Sequence, residues 1–157
     1  VQNRLVMTTK IDIQIATPET TFQVFQQIPE LDQYLTLDEF KERLGHSSPL
    51  LLTASIANEP VGFKVGYPLT SEATEDHQTF YSWLGGVHPH HRNKGVAAAL
   101  LNFQEAWVRD AGFQHLEVKS MNRFPAMLQL LISRGYWIVG VESFEADFKI
   151  LFRKALD

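Results

Sequence analysis

The sequence predicts an α+β domain with a central mixed, mostly antiparallel sheet of about seven strands, flanked by about four helices. Segments with a two-residue apolar repeat alternate with segments whose apolar residues recur every three or four positions, and these are the periods of strands and helices. Their order is strand, two helices, three strands, helix, strand, helix and two strands. Adjacent strands predict antiparallel pairs, and the two later helices predict crossovers that include a parallel pair.

The first segments are a strand and two helices. Lys10–Ala16 alternates apolar and polar residues, as a half-buried strand does. Thr17 and Pro18 suit the cap and first position of a helix. Thr36 and Glu39 have the spacing of a capping box, which predicts the start of a second helix.

A hairpin is predicted next. Leu50–Ala57 and Val61–Tyr67 are two apolar arms joined at residues 58–60. In the second arm Lys64 falls on the side opposite the large apolar residues, between two glycines. Ser71–His77 is a polar, acidic loop, whose carboxylates would suit a cationic ligand or simply face solvent.

The second half of the chain predicts the remaining strands and helices. The strand at Thr79–His88 contains an unusual glycine pair, and interior glycines mark a bulge or a close approach of a ligand to the backbone. The other predicted elements are a helix at Val96–Ala111, a strand at His115–Met121, a helix at Pro125–Ser133, and strands at Tyr136–Glu142 and Asp147–Lys154.

Length and composition exclude several classes of protein. The 157 residues fit one domain, 1–157, in which residues 1–6 precede Met7 as an extension. The absence of cysteine excludes disulfides, thiolate metal sites and a catalytic thiol. No apolar run approaches the roughly 18 residues of a membrane helix, so we expect a cytoplasmic protein with no membrane partner. A net charge of -4 with 14 Lys and Arg argues against a nucleic-acid partner.

One loop has the properties of an anion site. Between His77 and Gln104 there is no acidic residue, and the only formal charges are Arg92 and Lys94. The loop containing them opens directly into the predicted helix at Val96, whose first amides lack intrahelical partners. A phosphate would fit there; the alternative is that both cations are solvated loop residues.

The residues around this loop resemble the GNAT superfamily of acyl-CoA-dependent N-acyltransferases. The pattern that carries the resemblance is Val87-x-Pro89-x-x-Arg92-x-x-Gly95-x-Ala97 followed by Leu100-Leu101. The glycine pair stands where the family carries a bulge, and Leu116-Glu117-Val118, Asn122 and Arg134-Gly135-Tyr136 are similar to the family's later segments. The resemblance covers residues 10 to 154, and it implies the family's fold.

The resemblance also implies a cofactor site and a reaction. Acetyl-CoA would be the acyl donor, an amine of unidentified kind the acceptor, and no metal would take part; the protein would be a monomer or homodimer. Asn122 would contact the pantetheine arm, and Gly85, Gly86 and Val87 would pair with that arm through their main chain. The pyrophosphate would be wrapped by Arg92, Asn93, Lys94, Gly95, Val96 and Ala97.

Attack of an amine on a thioester needs an oxyanion stabiliser and a base. Backbone amides near Val87 and His88 are the expected oxyanion donors. The candidate bases are Glu117, at a position some family members use, and His88, at the strand end. The alternatives are that Glu117 is an ordinary exposed strand residue and His88 a loop histidine.

A general acid for the thiolate is missing from the expected position. Many family members place a tyrosine four residues before the final glycine, where this chain has Leu131, and a count forward from Asn122 gives Gln129. Either another group or water supplies the proton, or the protein is a non-catalytic acyl-CoA-binding or sensing module. A third reading is an unrelated phosphate-binding domain.

The histidines around the loop are not predicted to bind a metal, and the tryptophans are not predicted to act in the functional site. His88, His90 and His91 do not predict a metal site, because adjacent histidines cannot easily face one ion and no carboxylate is near. The three tryptophans are predicted to pack in the core; they are Trp83, Trp107 and Trp137.

Overall fold

The computed structural model describes residues 9–45, 48–69 and 78–157. The expectations for residues 1–6 and for the loop Ser71–His77 lie outside these ranges. One seven-stranded sheet has the order β1-β2-β3-β4-β5-β7-β6. Its strands are β1 (Asp12–Ile15), β2 (Leu50–Ile56), β3 (Glu59–Pro68), β4 (Thr79–Val87), β5 (His115–Met121), β6 (Trp137–Phe144) and β7 (Asp147–Ala155).

Four α-helices flank the sheet in the described ranges, which confirms the predicted fold class. Thr17 and Thr36 cap the first two helices, accepting hydrogen bonds from the amides of Thr20 and Glu39. The Thr36 hydroxyl also donates to the Glu39 carboxylate at 2.9 Å. The helices are α1 (Pro18–Gln26), α2 (Leu37–Leu44), α3 (Val96–Asp110) and α4 (Pro125–Ser133).

The strand pairing follows the predicted mixed pattern. Every neighbouring pair is antiparallel except β4 and β5, which are parallel and are connected through α3. The hairpin turn is shorter than predicted: Ala57 and Asn58 occupy it with positive φ, and β3 already begins at Glu59.

The two faces of the sheet are covered by different helices. One apolar cluster packs α1 and α2 on one face around Phe25, Phe40 and Phe63. The other packs α3 and α4 on the opposite face, around Phe80 and Leu100. Both faces of β2 to β4 are therefore buried.

The edge strand β6 corrects one core prediction. Trp83 and Trp107 pack against the two clusters as expected, but Trp137 is 76% exposed. Trp137 lies on the outermost strand, and its neighbours Ile138 and Val141 are exposed as well. The apolar pattern of β6 predicted its conformation but not its position at the edge.

Candidate functional site

The sheet is open between its two parallel strands. β4 pairs with β5 only from Thr79 to Ser82, although β4 continues to Val87 and β5 to Met121. On its other edge β4 stays paired with β3 as far as Val87. The β4 edge from residue 83 to 87 therefore has no strand partner among the described residues, and its amides and carbonyls face an opening.

The glycine pair lies in this unpaired stretch, but the bulge is not at the glycines. Gly85 and Gly86 are in regular register with Lys64 and Phe63, and the irregularity falls at Trp83, two residues before Gly85. The glycines serve close packing instead, because a Cβ on Gly86 would lie 2.8 Å from Ile28 Cδ1. The predicted bulge at the glycine pair is corrected accordingly.

The loop after β4 delivers the free N-terminus of α3 to the same end of the sheet. Asn93 and Gly95 both have positive φ, of 61° and 84°. Gly95 is the N-cap and makes no side-chain capping bond, so the first amides of α3 from Val96 onward have no capping partner. A Cβ on Gly95 would have nothing within 4 Å, which leaves this surface open to a ligand.

Arg92 is already engaged. Its guanidinium donates two hydrogen bonds of 2.8 Å to the carboxylate of Glu30, and a third of 3.3 Å to the carbonyl of Val87. The pair lowers the pKa of Glu30 and raises that of Arg92. The lack of acidic residues between His77 and Gln104 did not reveal this carboxylate, because Glu30 lies in the segment after α1.

Lys94 and Asn122 lie near this end of the sheet. Both are exposed, and neither makes a hydrogen bond or ion pair with the described residues. Asn122 directly follows β5, and Lys94 lies in the segment between β4 and α3. The two residues therefore follow the two strands that border the opening.

Glu117 is buried rather than exposed. It is 7% exposed on β5 and accepts a hydrogen bond of 2.9 Å from Nε of Arg153 on β7, together with a second from Nη2. Its register partner on β4 is Tyr81, whose ring contacts Tyr67 on the face of α1 and α2. Glu117 therefore points to that face, one residue before the two strands separate.

His88 has a geometry that disfavours it as a base. Its Nδ1 accepts a hydrogen bond of 3.1 Å from the amide of His90. A neutral imidazole has only one lone pair for a proton, and here that lone pair is occupied. Its own amide donates to the carbonyl of Val61 at 2.7 Å, so the expected oxyanion donor at His88 is also engaged.

The phenols near the opening are not at the expected position. Leu131 is fully buried on α4, and Tyr136 donates to Glu105 at 3.0 Å, where burial raises its pKa. Tyr81 lies on the face of α1 and α2, and burial raises its pKa to about 12. A proton leaves such a phenol less readily than an ordinary one.

The family profile of the acetyltransferase (GNAT) family matches residues 14–131. This span contains the opening, the loop and α3. The chain belongs to the GNAT acetyltransferase family. A sequence search of curated proteins found no significant match.

Solved structures of GNAT proteins share the fold. The ribosomal-protein-S18-alanine N-acetyltransferase from Escherichia coli superposes with a TM-score of 0.78 at 12% identity, covering 94% of each chain. A GNAT-family protein from Desulfovibrio desulfuricans gives 0.76 at 18% identity, covering 94% of this chain and 100% of its own. The protein YncA from Salmonella typhimurium, solved with its cofactor acetyl-CoA, gives 0.71 at 16% identity and 94% coverage of each chain.

The sequence did not predict two buried polar side chains inside this GNAT fold. Lys64 on β3 and Gln104 on α3 are 3% and 0% exposed, beneath α3. The side-chain amide of Gln104 and the hydroxyl of Ser82 have no hydrogen-bond partner among residues 9–45, 48–69 and 78–157. The glycines on either side of Lys64 were the available signal, since they let a helix approach that face: a Cβ on Gly66 would lie 3.1 Å from Gln104 Nε2.

Neither a metal-ligand cluster nor a membrane-spanning helix is present in the described residues. No group of three or more His, Cys, Asp or Glu is arranged there to hold a metal ion. No helix in those ranges has the length and apolarity to cross a membrane.

Proposed function

We propose that this protein is an N-acetyltransferase that transfers the acetyl group of acetyl-CoA directly to an amine. The observation that carries the proposal is the continuous surface formed by the unpaired edge of β4 and the uncapped N-terminus of α3. The first offers main-chain hydrogen bonds to an extended amide-containing arm, and the second offers amides and a positive dipole to a phosphate.

The residues at this surface fit coenzyme A. The amides of Gly95, Val96 and Ala97 would hold the pyrophosphate, since a Cβ at Gly95 would occupy space that is empty in the structure. Gly85–Val87 would pair with the pantetheine arm, and Asn122 would meet it from β5. Lys94 is the cation free to face a phosphate, whereas Arg92 is held by Glu30. The bound acetyl-CoA of the Salmonella typhimurium neighbour supports this choice of cofactor.

Coenzyme A supplies an activated acetyl thioester, and the protein supplies orientation and proton transfer. The amides of the β4 edge that face the opening would polarise the thioester carbonyl. Glu117 would take the proton that the attacking amine loses, directly or through water. Arg153 keeps this carboxylate in place, with its Nε 2.9 Å from the carboxylate oxygen.

The acceptor would enter on the face of α1 and α2, because Glu117 points there. This face presents aromatic and charged groups near the opening: Arg43 lies 4.5 Å above the ring of Trp83 and donates to the hydroxyl of Tyr67. An amine with an apolar portion could use such rings.

Thiol release from acetyl-CoA in the presence of a panel of amines tests the proposal. We expect at least one amine to stimulate release and to be recovered in acetylated form. Gly95→Val should abolish release, because the new side chain would fill the phosphate surface. Gly112→Val is the matched control, since Gly112 also has positive φ and no Cβ neighbours, at the other end of α3.

The absence of a phenol at Leu131 favours the rival function, a non-catalytic acyl-CoA sensor. Binding of acetyl-CoA without release for any amine would support the sensor and contradict the transferase. Release that survives Gly95→Val would contradict the placement of the pyrophosphate.

A further inference from the structure

Lys64 is a buried lysine on the cofactor side of the sheet. It is 3% exposed on β3 and pairs in register with Gly85. Its Nζ lies 3.6 Å, and its Cγ 3.4 Å, from the position that a Cβ on Gly85 would take. The lysine therefore extends over Gly85, and it can do so because Gly85 has no side chain.

The surroundings of Lys64 contain no countercharge in the part of the chain that the structure describes. Leu52 is its register partner on β2, and Leu100 and Gln104 of α3 lie over the glycines on either side of it; none of these side chains titrates. No hydrogen bond or ion pair reaches its ammonium from the described residues. Burial alone lowers the pKa of Lys64 to about 8. An ammonium kept in an apolar layer without a partner is unfavourable for folding, so a ligand is the expected partner.

A second observation points to a ligand at the same place. The Ser82 hydroxyl and both polar atoms of the Gln104 amide are buried without partners in the described part of the chain. Ser82 is the last residue of β4 that pairs with β5, and its register partner Gly66 lies beneath Gln104. The Lys64 ammonium, the Ser82 hydroxyl and the Gln104 amide thus lie on one face of the sheet, where β4 and β5 separate. Each of these groups has unused hydrogen-bonding capacity.

Lys64 and Glu117 lie on opposite faces of this opening. Lys64 lies over Gly85 on the face of α3, whereas Glu117 shares the face of Tyr81, Tyr67 and α1. A thioester lying in the opening would have a carboxylate on one side and an ammonium on the other. This arrangement would place a base beside the attacking amine and a proton donor beside the departing sulfur.

We propose that Lys64 is the general acid of the transfer and protonates the thiolate of coenzyme A. The inference rests on the proposed function, since it requires that the thioester occupy the opening. It also accounts for the absence of a phenol at Leu131, because the proton comes from β3 instead of α4.

The transfer forms one carbon–nitrogen bond, breaks one carbon–sulfur bond and moves two protons. The amine nitrogen donates its lone pair to the thioester carbon, and the carbon–sulfur bond breaks with its electron pair going to sulfur. The nitrogen loses a proton to Glu117, and sulfur takes a proton from Nζ of Lys64. The products are the acetylated amine and the free thiol; before the next turnover Glu117 gives its proton to water and Lys64 regains its proton from water.

The acidity of the two groups suits this transfer. A thiol of the ordinary kind has a pKa of about 8.5, and that of Lys64 is lowered to about 8. Proton transfer between groups of similar pKa is efficient near neutral pH, where Lys64 is still mostly protonated.

Titration of the thiol of bound coenzyme A tests the proposal without an acceptor. The ultraviolet absorbance of the thiolate is followed against pH in the wild-type complex, with the desulfo-coenzyme A complex as reference to remove tyrosine absorbance. An ammonium within contact distance should lower the pKa of the bound thiol by about one to three pH units relative to free coenzyme A. In Lys64→Met the thiol pKa should return to the free value or above it.

Two controls make the result specific. Lys41→Met removes a lysine from α2, where it pairs with Glu19, and should behave as the wild type. Lys64→Gln gives the same comparison with a polar side chain if the methionine variant does not fold. Wild type should also bind coenzyme A more tightly than the desulfo analogue near pH 8, and this difference should disappear in Lys64→Met.

The outcomes separate this inference from the proposed function. A lowered thiol pKa in wild type and Lys41→Met, but not in Lys64→Met, shows that the protonated Lys64 lies against the sulfur, as the acid must, and supports the proposal. Binding of coenzyme A with the same thiol pKa in all variants overturns the role of Lys64 and leaves the proposed function standing. No binding of coenzyme A to the wild type overturns both.

Discussion

Replacing Lys64 with methionine should make the protein more stable at neutral pH. Methionine has a similar length and volume but no charge, and Lys64 lies between β3 and α3 with 3% exposure. Removal of an unpaired buried ammonium therefore removes a penalty and opens no large cavity. Most replacements of a surface or core residue by one of similar size do not raise the free energy of unfolding.

The size of the effect follows from the pKa of Lys64. Burial lowers it from 10.5 to about 8, and each pH unit corresponds to about 1.4 kcal/mol, which gives roughly 3 kcal/mol. Below pH 8 the lysine is charged in both folded and unfolded states, so the full penalty is present. Between pH 8 and 10.5 the unfolded chain binds more protons than the folded one, so wild-type stability gains with pH relative to the variant.

Urea unfolding at 25 °C, repeated from pH 6 to 10.5, measures this difference. We expect Lys64→Met to be more stable by roughly 3 kcal/mol at pH 7, and the gap to shrink between pH 8 and 10.5. Lys41→Met should show no such pH-dependent gap, because the Lys41 side chain is 42% exposed. A Lys64→Met variant that is less stable at pH 7, with a gap independent of pH, would refute the reasoning.

Three other predictions concern the site and the fold. Glu117→Gln should lower kcat by about 100-fold and remove the acidic limb of its pH profile, with acetyl-CoA affinity unchanged; an unaltered pH profile eliminates Glu117 as base. Glu30→Gln should free Arg92 and tighten acetyl-CoA binding several-fold at low salt, as calorimetry at two salt concentrations would show; equal affinity in both proteins contradicts a phosphate near Arg92. Thr36→Ala should lower the free energy of unfolding by about 1 kcal/mol, whereas Thr36→Ser should not, and an equal loss in both would argue against the cap.

The sequence was sufficient where local chemistry determines structure. The bounds of β5 and α4 match the predicted ranges, because apolar periodicity and the prolines and glycines that end these elements are local signals. The cap at Thr36 and the glycine at the start of α3 were predicted for the same reason. The order of elements then sufficed for the mixed sheet with its parallel pair.

Long-range contacts account for what the sequence did not predict. Arg92 looked free because Glu30 is 62 residues away in the chain. The burial of Lys64 was not predicted, since alternation places it opposite the large apolar residues but cannot show that both faces of β3 are covered by helices. Trp137 has the pattern of a core residue, but its strand is placed at the edge by pairing with β7 alone.

Thermal unfolding with acetyl-CoA, coenzyme A and ATP side by side tests the central claim most directly, because it needs no knowledge of the acceptor. A ligand at 100 times its Kd adds about 2.7 kcal/mol, which for a domain of this size raises the midpoint by roughly 5 to 11 °C. We predict this increase with acetyl-CoA and coenzyme A but not with ATP, and its loss in Gly95→Val but not in Gly112→Val. No increase with acetyl-CoA, or an equal increase with all three ligands, would contradict a coenzyme A site between β4 and α3.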